Sequence, residues 1–308
     1  MNPLDLNPLD ETLAAIERVI LGKGQQVRLC LTCLLARGHL LIEDVPGVGK
    51  TTLAHCLARV LGLEWTRVQF TSDMLPADII GVSIFDRDTH KFQFRRGPVF
   101  TQLLLADEVN RASPKAQSAL LEAMEERQVS VDGVTYPLPE PFYVVATQNP
   151  HEQVGTYGLP ESQLDRFLMR VTLGYPDRAS ERRVLLQGER RELLNDTPAV
   201  LSGAEVLNLQ LRVRLVHVAG ALLDYVQALV ARSRLELALG LSPRAAQGLL
   251  RAAQAWALIH GESAVLPEHV QTVFPAIAAH RLETRQGEAA THGSELADAL
   301  IKAVPVPV

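Results

Sequence analysis

A short glycine-containing loop between a predicted strand and a predicted helix constrains this chain more than any other feature. The apolar run over residues 40–42 predicts a short buried strand, and residues 53–58 predict the start of a helix. The segment between them has the sequence EDVPGVGKTT. In such a loop the backbone N–H groups point to one place, where the helix dipole favours an anion. The order of strand, loop and helix therefore predicts a phosphate-binding loop.

The residues of this loop have predicted roles at a nucleotide. Those expected to contact it are Asp44, Val45, Pro46, Gly47, Val48, Gly49, Lys50, Thr51 and Thr52. Lys50 is expected to reach the β- and γ-phosphates, and the Thr51 hydroxyl is expected to ligate Mg²⁺. The strict pattern has glycine where this chain has Asp44, and an acid there would weaken triphosphate binding unless its side chain points away. The alternative is a glycine turn that caps a helix beside an ordinary surface lysine.

Composition disfavours several classes of protein. A formal net charge of −5 leaves no basic footprint, so no nucleic-acid partner is expected. No run approaches the ~18 apolar residues of a membrane helix, and the N-terminus lacks a signal-peptide pattern, so we expect a cytoplasmic protein without membrane insertion. Cys30 and Cys33 lie in an apolar helical run, which favours core packing over a metal or redox site.

Predicted strands and helices alternate along the first part of the chain. The predicted elements are helices over 11–21, 25–36 and 114–127, strands over 65–70, 101–108, 142–147 and 167–173, and β-hairpins over 81–95 and 129–136. Such alternation predicts an α/β fold, a parallel sheet with helices on both faces. After residue 179 only helices are predicted, among them 215–233 and 243–259. We therefore expect an α/β domain over residues 1–176 and an all-helical domain over residues 177–308.

Two acids end the apolar strand predicted over residues 101–108. Asp107 and Glu108 would lie at the carboxyl end of the sheet, where open α/β sheets bind their ligands. Asp107 is expected to hold Mg²⁺, and Glu108 is expected to polarise an attacking water. Asn149 follows the next strand and would hold that water without adding charge. The alternatives are two exposed acids at a strand end and an asparagine in an ordinary turn.

Taken together, these motifs resemble those of the AAA+ ATPases, and within them the MoxR family. The resemblance covers nearly the whole chain and is most specific over residues 43–51, 106–112, 146–150 and 159–167. It implies an α/β P-loop domain followed by a small helical lid, with ATP and Mg²⁺ as cofactors. Family members often lack the first loop glycine, which eases the objection raised by Asp44; the sequence does not predict whether Asp44 alters nucleotide affinity. Asn149 would be the residue called sensor 1, and the two hairpins would be insertions that face the pore of a ring.

Two arginines and a glycine gain roles only from this resemblance. Arg166 resembles an arginine finger, which reaches the γ-phosphate bound to the neighbouring subunit, a task that suits a planar and permanently charged guanidinium. Arg244 resembles the sensor 2 arginine of the helical lid, and Gly22 belongs to a segment that contacts adenine in similar ATPases. By sequence alone, the ordinary interpretation is favoured for both arginines: a surface arginine paired with Asp165, and an arginine in the first turn of a helix. For Gly22 a glycine that merely ends a helix is equally compatible with the sequence.

The resemblance also implies partners and a biological role. It implies a homo-oligomer, expected to be a hexameric ring, that remodels or activates protein clients with a separate von Willebrand A domain protein. Two other functions stay open: a nucleotide-gated binding scaffold with little hydrolysis, and a nucleic-acid motor, which the acidic composition disfavours. The sequence predicts neither the client nor a role for Arg111.

Overall fold

A computed structural model describes residues 8–150, 155–186, 193–194, 196–284 and 293–306 of the chain. The helices are α1 (Pro8–Val19), α2 (Gly24–Leu35), α3 (Lys50–Val60), α4 (Pro76–Ile80), α5 (Pro114–Glu126), α6 (Glu161–Leu164), α7 (Arg178–Leu186), α8 (Gly203–Val213), α9 (Gly220–Glu236), α10 (Pro243–Ile259), α11 (Pro267–Ala278) and α12 (Gly293–Ala303). The strands are β1 (Leu40–Glu43), β2 (Trp65–Gln69), β3 (Gly81–Asp86), β4 (Lys91–Arg96), β5 (Leu103–Asp107), β6 (Gln128–Val131), β7 (Val134–Pro137), β8 (Tyr143–Gln148) and β9 (Met169–Val171).

Five of these strands form a parallel sheet in the order β2-β5-β8-β1-β9. The central strands β5 and β8 are buried almost throughout, as strands covered on both faces are. Because all five run in the same direction, their carboxyl ends lie at one edge of the sheet. The predicted α/β fold is confirmed.

The two faces of the sheet pack against separate apolar cores. Leu40 and Ile42 belong to the core on one side, while Leu41 between them belongs to the core on the other side. This alternation follows from the two-residue repeat of a strand. The first core contains apolar side chains of α1, α2 and α3, and the second contains those of α5.

The described residues after α7 form the predicted all-helical region. Its helices α10 and α11 pack on each other, and α10 also packs on α2. The apolar core of the α1–α3 side continues without a break into this region. The domain boundary near residue 176 stays a prediction. No helix in the described part of the chain has the length and apolar character that a membrane span needs.

Several predicted bounds differ from the structure, among them the following three. The helix predicted from residue 215 begins at Gly220, because the backbone of His217 instead bonds to Ser263 and Val265. The strand predicted over 101–108 is limited to Leu103–Asp107. The strand predicted over 167–173 is limited to Met169–Val171, because the N–H of Phe167 closes a turn and that of Leu173 donates to a side chain.

Both predicted hairpins are present, and an aromatic stack joins them. Strand β3 pairs with β4, and β6 pairs with β7, all antiparallel. The second hairpin turns at Asp132 and Gly133, both with positive φ, as Asp-Gly hairpin turns require. The rings of Phe94 and Tyr136 stack with centroids 4.2 Å apart.

The cysteines lie in the core, as predicted for the pair in α2. Cys30, Cys33 and Cys56 are free and buried. Burial raises the pKa of the Cys33 and Cys56 thiols to about 12. Thiols with such a pKa stay protonated at neutral pH and therefore pack as small apolar groups.

Candidate nucleotide site

The predicted phosphate loop connects β1 to α3 through two glycines in the left-handed region. Gly47 has φ +85° and Gly49, which caps α3, has φ +96°. Glycine adopts such angles without steric cost, so the chain can turn sharply into the helix. A Cβ atom at either position would meet nothing within 4 Å, so the backbone here is open to an approaching ligand.

The Asp44 carboxylate points away from this opening, toward the end of β9. Its Oδ2 accepts hydrogen bonds from the N–H groups of Leu173 (2.7 Å) and Gly174 (2.6 Å), and its Oδ1 accepts one from Val45 (2.8 Å). The side chain is buried. Asp44 therefore ties the loop to the end of a neighbouring strand, and this orientation answers the objection that the sequence raised.

Lys50 lies between the ends of β1 and β8. Its Nζ donates to the carbonyl oxygens of Asp44 (2.5 Å) and Gln148 (3.3 Å). Burial lowers the pKa of Lys50, and the nearby carboxylates of Asp44, Asp107 and Glu108 oppose that shift. The ammonium group therefore lies at the carboxyl edge of the sheet, among the predicted site acids.

Asp107 is held by partners from both neighbouring strands. Its Oδ1 accepts a hydrogen bond from the Thr147 hydroxyl of β8 (2.5 Å). Its Oδ2 accepts two from Arg67 of β2, from Nε (3.1 Å) and Nη2 (2.7 Å). Arg67 thus forms an ion pair with Asp107, the predicted Mg²⁺ ligand, in this structure. The same Thr147 hydroxyl accepts the backbone N–H of Glu108 (2.9 Å), so it orients both acids.

Glu108 has an unusual backbone, and one of its carboxylate oxygens has two side-chain partners. Its φ of 56° lies in the left-handed region, which a residue other than glycine rarely adopts and which recurs at functional sites. Its Oε2 accepts a hydrogen bond from Gln69 Nε2 (2.7 Å) and pairs with Arg111 Nε at 2.8 Å. Arg111, to which the sequence assigned no role, is therefore a partner of the predicted general base.

Asn149 lies just beyond the end of β8, at the same edge. Together with Glu43 and Asn110 it lines a cleft of ≈380 Å³. Glu43, at the end of β1, is fixed by Arg170 Nη1 (2.7 Å) and Gln148 Nε2 (2.8 Å). The structure thus places Asn149 beside the strand from which the phosphate loop leaves.

The donor set at this edge fits Mg²⁺. Thr51 follows Lys50 in the first turn of α3, and Asp107 ends β5, so a hydroxyl and a carboxylate are available from two adjacent elements. Oxygen donors of this kind, combined with phosphate oxygens, are what Mg²⁺ prefers.

Gly22 lies where the sheet region passes into the helical region. It has φ +70°, and a Cβ there would meet Ser180 Oγ at 2.4 Å and Asp177 Oδ2 at 2.9 Å. Asp177 accepts the N–H groups of Ala179 and Ser180 at the start of α7, both at 2.9 Å. Only glycine allows this close approach between the α1–α2 turn and α7.

The two predicted arginines lie together, and both contact Glu125 of α5. Arg166 Nε lies 3.2 Å from Glu125 Oε2, and Arg244 Nη2 donates to Glu125 Oε1. They also line one cavity with Arg37 and Gly38, which directly precede β1. Glu125 was missed in the sequence because nothing in its helix distinguishes it from other exposed acids.

These arginines therefore lie at the amino edge of the sheet, opposite the phosphate loop. Arg166 precedes β9, and its cavity adjoins the start of β1, whereas Lys50 follows the end of β1. The four residues of β1 span about 13 Å at ~3.3 Å per residue. The Arg166–Arg244 pair and the Lys50 loop of one chain thus occupy opposite ends of the same strand.

Two family models match the chain. Residues 39–169 match the ATPase family associated with various cellular activities (AAA), and residues 229–303 match an AAA lid domain. The first extends from the residue before β1 to the first residue of β9, and the second extends from the middle of α9 to the end of α12.

Several proteins resemble the chain over nearly all of its length. An uncharacterized protein, YeaC, of Bacillus subtilis is 44% identical and covers 99% of this chain and 97% of its own. Chaperone MoxR1 of Mycobacterium tuberculosis is 41% identical over 90% of this chain and 76% of its own, and Protein MoxR of Paracoccus denitrificans is 36% identical over 96% and 95%. The crystal structure of a candidate ATPase from Cytophaga hutchinsonii superposes with a TM-score of 0.88 at 36% identity, covering 98% of this chain and 96% of that one.

Proposed function

This chain belongs to the MoxR family of AAA+ ATPases, and from that premise we propose that it hydrolyses ATP with Mg²⁺ in sites shared between neighbouring copies. One observation carries the proposal. Lys50, Asp107 and Glu108 share the carboxyl edge of the sheet, while Arg166 and Arg244 share the opposite edge. This separation supports a role for the second group at a nucleotide bound by another copy of this chain.

The residues of the carboxyl edge have separate tasks in this proposal. The loop over residues 44–52 holds the phosphates, with Lys50 on the β- and γ-phosphates. Thr51 and Asp107 hold Mg²⁺, which when bound neutralises charge on the phosphates. Glu108 accepts a proton from the attacking water, and Asn149 orients that water. Gly22 and the adjoining turn contact the adenine.

Nucleotide binding must rearrange the contacts seen here. Lys50 would exchange a backbone carbonyl for phosphate oxygens, and Asp107, which Arg67 contacts here, would supply a carboxylate to hold the metal. For Glu108 to accept the proton at Oε2, that oxygen has to leave Gln69 or Arg111.

The amino edge supplies the other half of the proposed site. Arg166 acts as the arginine finger for the adjoining copy, and Arg244 approaches the same phosphates. Glu125 holds both guanidinium groups in the single chain, and the neighbouring γ-phosphate competes for them. An arginine finger is worth ~10³–10⁵ in rate, so hydrolysis depends on assembly.

The proposed biological role is to remodel or activate protein clients from a cytoplasmic ring of six subunits. The name of the relative Chaperone MoxR1 supports a chaperone role. The family resemblance suggests a separate von Willebrand A domain protein as partner. In such a ring the residues beyond about 176 form the lid, which carries Arg244.

Replacement of Glu108 by Gln tests the hydrolytic step. The variant should still bind ATP and Mg²⁺, because Lys50 and Asp107 remain, but its turnover should fall by roughly 10²–10⁴, the usual contribution of a general base. Glu122→Gln, an exposed acid of α5, is the matched control and should hydrolyse ATP at the native rate. A Glu108→Gln protein with native turnover would refute the assignment.

Dilution tests the shared site. Turnover per subunit should rise with protein concentration and should be lost in Arg166→Ala at every concentration, while ATP binding persists. Turnover that is independent of concentration in a protein shown by sedimentation to be monomeric would contradict the proposal.

A further inference from the structure

A buried arginine of the helical region binds the peptide that carries Arg166. Arg281 lies in the turn after α11, and its side chain is only 5% exposed. Its Nε donates to Asp165 Oδ1 (2.7 Å), and its Nη2 donates to the carbonyl oxygens of Asp165 (3.0 Å) and Phe167 (2.6 Å). Its Nη1 donates to the Leu168 carbonyl oxygen (3.2 Å). One guanidinium group thus holds three of the four residues from 165 to 168.

The remaining residue of that peptide is Arg166, whose side chain reaches Glu125 instead. The backbone is fixed from the sheet side as well, since the N–H of Leu168 donates to the His39 carbonyl oxygen at 2.8 Å. The peptide therefore lies between the helical region and the start of β1. The backbone direction at Arg166 depends on both attachments.

Asp165 also contacts the helix that carries Arg244. Ser242 Oγ donates to the Asp165 carboxylate, 3.3 Å from Oδ1 and 3.2 Å from Oδ2. Ser242, two residues before Arg244, is the N-cap of α10, and its Oγ accepts a hydrogen bond from the N–H of Ala245 at 3.0 Å. A single carboxylate thus connects Arg281 to the backbone around both arginines of the amino edge.

We propose that Arg281 is a positioning residue for Arg166 and Arg244. It acts through Asp165 and the carbonyl oxygens of residues 165–168, and it transmits the position of the helical region to the site completed on a neighbouring copy. This inference rests on the proposed trans role of Arg166. It assigns to Arg281 no contact with nucleotide.

The geometry requires arginine at this position. The planar guanidinium directs N–H groups along several fixed directions, whereas the ammonium of lysine is a compact point charge on a flexible stem. Burial of a cation is costly unless each donor has a partner, and here the partners are the Asp165 carboxylate, backbone carbonyls and the His280 ring nitrogen, 2.6 Å from Nη1. Arg281→Lys should therefore behave like Arg281→Met, whereas a role limited to neutralising Asp165 would be rescued by lysine.

The first measurement separates kcat from nucleotide binding. In Arg281→Met, kcat of the assembled protein should fall roughly 10- to 100-fold, the loss expected when a catalytic group is misplaced by about 1 Å. The Kd for ATP should change by less than about twofold, because the Lys50 loop is distant and shares no partner with Arg281. Arg232→Met is the matched control, since Arg232 pairs with Glu236 (2.8 Å) and the Ala303 carbonyl oxygen (3.0 Å) away from this peptide.

Mixing subunits decides whether the defect acts on a neighbour. Lys50→Ala subunits bind no nucleotide but present an intact Arg166, while Arg281→Met subunits keep an intact phosphate loop. If Arg281 acts through Arg166, the mixture should regain turnover above the sum of its two parts. A mixture of Arg166→Ala with Lys50→Ala is the reference and should regain turnover in the same way.

The outcomes distinguish the two proposals. Recovery in the Arg166→Ala mixture but not in the Arg281→Met mixture would overturn the role of Arg281 alone. Failure of both would overturn the shared site itself. Asp165→Asn, which keeps the side-chain volume but removes the charged acceptor, goes through the same mixing experiment and provides the test if Arg281→Met does not fold. Absence of recovery with Asp165→Asn, beside recovery with Arg166→Ala, would also overturn the inference.

Discussion

Replacement of Asp44 by alanine separates the two roles that an acid in a phosphate loop can have. In the structure its carboxylate accepts three backbone N–H groups, from Val45, Leu173 and Gly174, at 2.6–2.8 Å. If this is its role, alanine leaves those donors without their acceptor and disconnects the loop from the end of β9. If the carboxylate instead faced the nucleotide, alanine would remove a repulsive charge.

The first role predicts that Asp44→Ala lowers the stability of the protein, and the second predicts that it raises the affinity for ATP. Hydrogen bonds to a charged group contribute about 1.5 kcal/mol or more each, so three give roughly 4.5 kcal/mol, and we expect about 3 kcal/mol because the half-buried Val45 and Gly174 can donate to water instead. A loss of about 3 kcal/mol lowers Tm by roughly 5–8 °C, whether the whole chain or its α/β domain alone unfolds as the cooperative unit. A carboxylate 4 Å from a phosphate charge would instead cost about 4 kcal/mol at an effective dielectric constant of 20, so its removal would tighten ATP binding several hundredfold.

Thermal unfolding and a titration with ATP measure both quantities on one protein. We expect Asp44→Ala to unfold at a lower temperature with no gain in ATP affinity. Asp298→Ala, an exposed acid of α12, is the control and should stay within about 0.5 kcal/mol of the native protein. An Asp44→Ala protein with native Tm and much tighter ATP binding would refute the reasoning.

Two further predictions concern Gln69 at the candidate site and the buried His39. Gln69→Leu removes one hydrogen bond to Glu108 and should raise basal ATP turnover by up to about tenfold, whereas an unchanged or lower rate would contradict the holding role of Gln69. Burial lowers the pKa of His39 to about 4 from 6.5. The unfolded chain therefore takes up this proton first as pH falls, and stability should drop by up to about 3 kcal/mol between pH 6.5 and 4. In urea unfolding across that range, His39→Asn should show a smaller drop; an equal one would refute the assignment.

The phosphate-loop half of the candidate site could be predicted because it is local in sequence. A strand, a glycine turn and a helix are consecutive, so the direction of the N–H groups follows from backbone geometry alone. Asp107 and Glu108 could be predicted because apolar residues directly before them form a buried strand, and such strands end at one edge of a parallel sheet.

The partners of these acids could not be predicted in the same way. Arg67 and Gln69 lie beside Asp107 and Glu108 only because β2 is the neighbour of β5, and that order differs from the order along the chain. A polar residue near a strand end carries no signal of which strand will lie next to it. The start of α9 was missed for a related reason, since His217 pairs with backbone far along the chain.

The sequence by itself determined the α/β fold, the all-helical region, the two hairpins and the local chemistry of the phosphate loop, since each follows from periodicity or turn residues within a short window. Only the tertiary structure decided the direction of the Asp44 carboxylate, the pairing of Arg166 and Arg244 on Glu125, and their binding to Arg281 through Asp165. These contacts join residues from distant parts of the chain. Their energies depend on which elements pack together, and packing is a property of the whole fold.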